Sequence, residues 1–366
     1  MSTTRTALTA LALAAAAAAG GCLNLDDITT VKDLRVLAVQ ADHPGFLVNL
    51  DDPGSANPFD LTGSLTALVV DPKGGGAQLT FTAVGCPDYL DAITGASTHA
   101  TNLCATPGTD GALPSLLQSM AIATFSPADP IAPGGIEYRP ATGPWGLTPD
   151  QVGAFFTPTP PADPTLAKAV QYNRDFGIDA LANLTFVLGS EQATAVKRLV
   201  YWPLLDPTQV PNQNPIIDHI EFYGARDATT GQPINLLDPI PTVSVGALDK
   251  VYALPVPPAG QTWDDQSETY LLRVRNAQTM QVETQTVKEL MTFDFFTTVG
   301  TLAPAERRND VPIFAAPGSM IHIDSQLNLP APANVPAGGV TADVWVVVHD
   351  ERAGVSWAHG NVIITP

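Results

Sequence analysis

Proline stands at 34 of the 366 positions of this chain and glycine at 29, and that density limits what the chain can fold into. Proline carries no amide hydrogen and clashes with the preceding turn of a helix, while glycine favours turns over regular structure. Long helices are therefore not expected, and many turns are. The same sequence is 45% hydrophobic and only 14% charged, enough apolar material for substantial cores rather than disorder. About 345 residues beyond a leader suggest two domains, three at most.

The strands can be placed by their period. Val31 to Gln40 is β-rich and stops at His43-Pro44-Gly45. Leu65, Ala67 and Val69 lead into Asp71-Pro72 and Gly74-Gly75-Gly76, after which Leu79, Phe81 and Ala83 alternate with threonines. This is period-two burial around a glycine turn; a phosphate loop would need a Lys-Ser or Lys-Thr pair and a helix start after the glycines. A hairpin follows at Leu184–Leu188 and Ala195–Trp202 across Gly189-Ser190-Glu191. Between these strand groups an irregular insertion spans about 86–179. Two helix starts lie in it: Thr148-Pro149-Asp150-Gln151, a capping box with proline at the first helical position, and Asp163-Pro164, opening a helix through Val170.

The Pro-rich stretch 207–215 reads as an extended, semi-rigid linker. Beyond it, residues 216–366 form a second unit. Ile216–Phe222 repeats the role of the opening strand, Tyr270, Leu272 and Val274 mark another strand, and Val344–His349 with Val355–Trp357 and Asn361–Ile364 form a closing hairpin around Asp350–Gly354. Gly354 is expected to take the left-handed conformation at that turn. The fold class is mainly β: two tandem immunoglobulin-like β-sandwich domains, at 31–206 and 216–366, the first enlarged by the partly helical insertion.

Residues 1–21 have a different character. Arg5, an apolar run from Ala7 to Ala19, then Ala19-Gly20-Gly21-Cys22 form an export signal ending in a cysteine that can carry lipid. A run of about fifteen residues, mostly alanine, is too short to span a hydrocarbon core of roughly 30 Å. An ordinary secretory signal, leaving Cys22 as a free thiol, is the competing reading, since Ala19 stands where lipoprotein signals place a leucine. The cysteine count favours lipidation. Cys22, Cys86 and Cys104 are three, and a lipid on Cys22 leaves Cys86 and Cys104 free to pair as a disulfide; two unpaired buried thiols are the alternative. Residues 22–30 then form a tether. Leu23, rather than aspartate, after Cys22 points to the outer membrane of the cell envelope.

The lipobox-like cysteine, the Asp-Leu-Arg-Val-Leu-Ala-Val strand from Asp33, the Leu-Val-Val-Asp-Pro strand end at Leu68 and the closing Val-Val-Val-His-Asp-Glu-Arg-Ala-Gly-Val-Ser-Trp hairpin together resemble uncharacterised lipoproteins of myxobacteria and their relatives. The ending also resembles the last two strands of immunoglobulin-like or cadherin-like sandwiches. The resemblance implies an address and a fold, and no activity.

Chemistry-bearing motifs are sparse. No Gly-x-Ser-x-Gly elbow, His-Glu-x-x-His, Walker loop, EF-hand loop or Cys-x-x-Cys pair occurs. His349, Asp350, Ser356 and His359 share one hairpin, where solvated turn residues are the simpler reading than a nucleophile and its base. Asp264-Asp265 with Glu268, or Asp350-Glu351, carry oxygen ligands of the kind calcium takes, at a spacing that is not diagnostic. No catalytic residue, metal site or cofactor is assigned. The formal charge of −19, which becomes −20 once Arg5 leaves with the signal, repels phosphate backbones and argues against nucleic acid as a partner. The expected role is a lipid-anchored, non-catalytic binding or structural module, its membrane contact made through Cys22 and its ligand a protein or a glycan. The alternative is a hydrolase of cell-wall or extracellular polymers working through paired carboxylates.

Overall fold

The computed structural model describes residues 28–51, 53, 61–88, 120–121, 128–132, 134–157, 164–228, 231–248, 250–310 and 322–366. Within them the chain is mainly β, arranged as two sandwiches. The first contains β1 (Arg35–Ala41), β2 (Gly45–Val48), β3 (Thr62–Val70), β4 (Thr80–Asp88), β5 (Met120–Ala121), β6 (Glu137–Tyr138), β7 (Ala141–Gly146), α1 (Pro149–Phe156), α2 (Pro164–Phe176), β8 (Ile178–Leu188) and β9 (Glu191–Pro203). One sheet has the order β1-β3-β6, with β7 also on β3, and the other β2-β9-β8-β4-β5.

The second sandwich contains β10 (His219–Arg226), β11 (Pro233–Leu236), β12 (Thr242–Ser244), β13 (Lys250–Val256), α3 (Trp263–Gln266), β14 (Thr269–Arg275), β15 (Val282–Lys288), β16 (Met291–Thr297), β17 (Thr301–Ala303), β18 (Glu306–Arg308), β19 (Ser325–Asn328), β20 (Val340–Asp350) and β21 (Val355–Thr365). Its sheets run β11-β10-β13-β19-β17 and β12-β21-β20-β16-β18, and β14 and β15 form a separate two-stranded arm.

The two sandwiches share one connectivity. An opening strand (β1 or β10) lies in the first sheet, and a short strand after it (β2 or β12) crosses to the second sheet and pairs parallel with the last strand of the domain (β9 or β21). The last two strands form an antiparallel hairpin, β8-β9 or β20-β21. This is the Greek-key order of immunoglobulin-like sandwiches.

Period two holds where the chain has one buried face. In β8 every second residue from Ile178 to Leu188 is buried, and these join Phe46, Leu65, Val69, Trp145 and Tyr201 in the first core. Strand β20 breaks the alternation: Val344, Trp345, Val346, Val347 and Val348 are all buried. Val344, Val346 and Val348 fill the core of the second sandwich. Trp345 and Val347 point the other way, into a third cluster with Val31, Ala38, Leu68 and Val70 of the first domain. The outer face of β1 and β3 thus packs on the outer face of β20, and the domains lie sheet against sheet.

Several sequence expectations are revised. Strand β4 continues to Asp88 and residues 137–146 pair with β3, so parts of the span 86–179 are sandwich strands rather than insertion. Thr148 caps α1 through the full capping box with Gln151. Helix α2 runs past Val170 to Phe176 and stops at Gly177, whose φ of 82° and N–H bond to the Asn173 carbonyl suit a C-terminal glycine. Residues 28–31, placed at the end of the tether and the start of the first domain, dock on the second. Thr30 bridges Thr297, Thr29 is buried, and the Thr29 hydroxyl oxygen accepts from the Leu302 amide at 3.0 Å. Cys22 and Cys104 lie outside the described residues, and the backbone of Cys86 pairs with Leu181 in β4.

Candidate functional site at the domain junction

The polar side chains that sequence reading scattered over loops are concentrated at the junction, around the turn between β20 and β21. Asp350 accepts from the amides of Arg352 (2.8 Å) and Gly354 (2.7 Å) and from the Asn212 side-chain amide (3.2 Å). The left-handed residue of this turn is Ala353, with φ of 77°, not Gly354. Glycine is required at 354 for a different reason: a Cβ there would lie 2.2 Å from Asp350 Oδ2 and 2.9 Å from the Gln213 carbonyl oxygen.

The Arg352 guanidinium is buried against two carboxylates, Glu268 and Glu289, and sits 4.5 Å over the Tyr270 ring. Burial pushes the Glu289 carboxyl up to about 7, against the downward pull of its hydrogen bond and ion pair with Arg352. Burial raises Glu268 as well.

Lys197 of β9 crosses from the first domain and donates to the Ala353 carbonyl. It is 4% exposed. Burial lowers its amine to about 7; Asp350 acts to raise it, and the neighbouring Arg198 lowers it further. Arg198 donates to the Glu351 carbonyl at 3.3 Å.

The Pro-rich stretch 207–215 is not a free spacer. Asn212 is 2% exposed and also donates to the Arg352 carbonyl at 3.1 Å, while Asn214 donates to the Ala41 carbonyl and accepts from the Val355 amide. Its residues thus stitch both domains together. The two added elements meet as well, where Arg273 of the β14-β15 arm bonds Asp175 of α2 at 2.9 Å.

On the other side of the interface the Trp345 indole N–H donates to Glu137 Oε2 at 3.2 Å, with the His359 ring stacked on Trp345 at 4.8 Å. His359 bonds Asp343 at 2.9 Å and His349 bonds Asp294 at 3.1 Å. His349, Asp350, Ser356 and His359 therefore do not converge on one point, although they share a hairpin. The acids considered for calcium have other partners: Asp264 pairs with Lys288 at 2.6 Å, the Asp265 carboxylate accepts from the amide and hydroxyl of the N-cap Thr262, and Glu268 pairs with Arg352. Among the described residues no three His, Cys, Asp or Glu side chains are grouped to hold a metal ion.

Between β1, β9 and the second domain lies an open groove of about 320 Å³, lined by Val36–Val39, Ala195–Arg198, Asp294, Val347, His349, Asp350, Ala353 and Val355. Sequence reading missed it because no motif marks it. The one signal available was Lys197, a charge at an inward position of an alternating strand.

The fold defines an immunoglobulin-like two-domain protein. No family model matches the chain, and no curated protein matches it. Among solved structures, a chimeric titin Z1Z2 tandem aligns over 90% of this chain and 98% of its own at 7% identity and a TM-score of 0.19. A partial N-terminal region of the enterococcal surface protein aligns over 94% and 99% at 6% identity and 0.25, and neural ectodermal development factor IMP-L2 over 93% and 98% at 7% and 0.17. Scores this low carry no argument, so the fold assignment rests on strand order.

Proposed function

We propose that this chain is an exported protein anchored by a lipid on Cys22, acting as a non-catalytic binding or structural module in the cell envelope, on the outer membrane. The observation that carries the non-catalytic part is the junction itself: its buried acids and bases are engaged with one another and with backbone groups, Lys197 reaching across from the first domain to the Ala353 carbonyl. Asp350 is saturated by three donors and Arg352 by two carboxylates, an arrangement that fixes orientation rather than leaving an acid and a base for a substrate. The anchor is supported by Arg5, the apolar run and the small residues before Cys22. Five residues separate Cys22 from Ile28, so the folded body starts within roughly 20 Å of the lipid.

Fractionation of cells carrying wild type and Cys22→Ser tests the anchor. The wild type should stay with membranes in high salt, since each acyl methylene contributes about 0.8 kcal/mol, and the exported variant should be released. A variant that stays bound would refute it. Pairing of Cys86 with Cys104 belongs to the same proposal, and is checked by the intact mass of the unfolded protein alkylated with and without reductant.

A further inference from the structure

The turn between β20 and β21 draws in two side chains from outside it. Ala353 is left-handed, the mirror image of a helical residue, so the carbonyls of Arg352 and Ala353 that flank its Cα point the same way, their oxygens about 3.5 Å apart. The Lys197 amine donates to the Ala353 oxygen, and the Asn212 side-chain amide donates to the Arg352 oxygen at 3.1 Å. Neighbouring acceptors thus bring together an amine from β9 and a carboxamide from the stretch 207–215. Both side chains are buried.

Each is in the state that amide chemistry needs. Among the described residues Lys197 makes no ion pair, and burial lowers its amine to about 7, so at neutral pH a large share of it is uncharged and carries a nucleophilic lone pair. Asn212 presents its nitrogen to a carboxylate, Nδ2 lying 3.2 Å from Asp350 Oδ2. Its Oδ1 is buried with no hydrogen-bond partner. The carboxamide is therefore held by the nitrogen that would leave, beside an acid able to carry a proton to it.

We propose that Lys197 and Asn212 join in an intramolecular isopeptide bond, with Asp350 moving the proton. The Lys197 amine adds to Asn212 Cγ and forms the Nζ–Cγ bond. A proton lost from Nζ passes through Asp350 Oδ2 to Nδ2, the Cγ–Nδ2 bond breaks, and ammonia leaves. One amine and one carboxamide give one secondary amide and one ammonia, with no other reactant and no change of oxidation state. Holding both partners in the packed junction makes the step unimolecular, which is where such a reaction gains most of its rate.

The chain modifies itself once and turns over nothing else, so the link is a covalent counterpart of the contacts that already hold the junction. It closes a loop from β9 to the stretch leading into the second domain, and unfolding does not open it. In the linked chain the Lys197 amine no longer titrates; a response to pH from that amine belongs to the unlinked chain.

The intact mass of the reduced, unfolded full chain tests the link. Wild type should be lighter by one ammonia than its sequence and anchor require, and Lys197→Met should show no deficit. A deficit that persists in Lys197→Met is a succinimide at an asparagine and overturns the proposal, as does a wild type of full mass. Digestion and fragmentation of the wild type decide the matter even if the variant does not fold. The expected product is a branched peptide joining Lys197 to Asn212, with no tryptic cut after Lys197. Recovery of the two residues only in separate, unmodified peptides would show that the amine and the carboxamide are merely neighbours.

Discussion

Lys197, on the last strand of the first domain, donates to the carbonyl of Ala353, in the last turn of the second. A buried amine thus ties together two positions 156 residues apart, and its protonation belongs to the domain junction rather than to either sandwich alone.

That placement sets a pH dependence. The Lys197 amine is lowered from 10.5 to about 7, so between pH 7 and 10.5 the unfolded chain binds more protons than the folded one, and stability rises with pH across that window. Lys197→Met should flatten the rise and be more stable than wild type below pH 7, where the buried amine must be charged at a cost of about 1.4 kcal/mol for every tenfold loss of proton affinity on folding. Urea midpoints at pH 6 and pH 9 read it directly. Equal slopes for the two proteins would show that the amine does not titrate in this range.

Glu289 acts with the opposite sign. Its carboxyl is raised from 4.5 to about 7, so between those values the folded chain holds the extra proton and this group's contribution to stability falls as pH rises. Glu289→Gln keeps an acceptor for Arg352 and should remove that component. Comparison of wild-type and variant unfolding between pH 5 and pH 7 gives the difference, which should shrink toward the acid end.

Tyr201 holds the first sandwich from within. Its hydroxyl accepts from the Leu147 amide at 2.7 Å and donates to the Leu61 carbonyl at 2.9 Å, both in the interior. Tyr201→Phe preserves the stacking on Phe46 but strands one donor and one acceptor, costing about 1–3 kcal/mol. Calorimetry should show a lowered melting temperature with an unchanged far-ultraviolet spectrum.

Trp345 tests whether the sheet-on-sheet contact fixes the domains. It is completely buried between them, and Trp345→Ala removes its ring and leaves Glu137 without the indole donor. The expected cost is about 3–5 kcal/mol. Faster proteolysis at 207–215 should accompany it, because Asn212 and Asn214 are ordered by the same junction. A proteolysis pattern identical to wild type would mean the domains stay docked without the tryptophan.

Much of the secondary structure was legible from local chemistry. The alternation of β8, the capping box at Thr148 and the closing hairpin each follow from residues adjacent in sequence, whose side-chain period and backbone hydrogen bonds are local matters. Even there, geometry reassigned details: glycine at 354 answers to the Asp350 carboxylate, not to a left-handed backbone, and α2 extends to the first residue able to stop it.

What only the tertiary structure decided is what covers each strand's second face and edge. The apolar run Val344–Val348 reads as a strand, but nothing in it tells which alternate side chains meet the first domain. The Asn212 of a Pro-rich stretch looks like part of a spacer until the fold seats it against Asp350. Lys197 stands out in sequence only as a charge at an inward position of β9, and its contact with Ala353 of the second domain is set by the docking. Thr30 and Thr297 are separated by most of the chain, and their pairing depends on how the first segment docks on the second sandwich. A sequence records period and composition, which fix local form; burial, charge pairing and open edges arise from contacts between distant segments, and these exist only once the chain has packed.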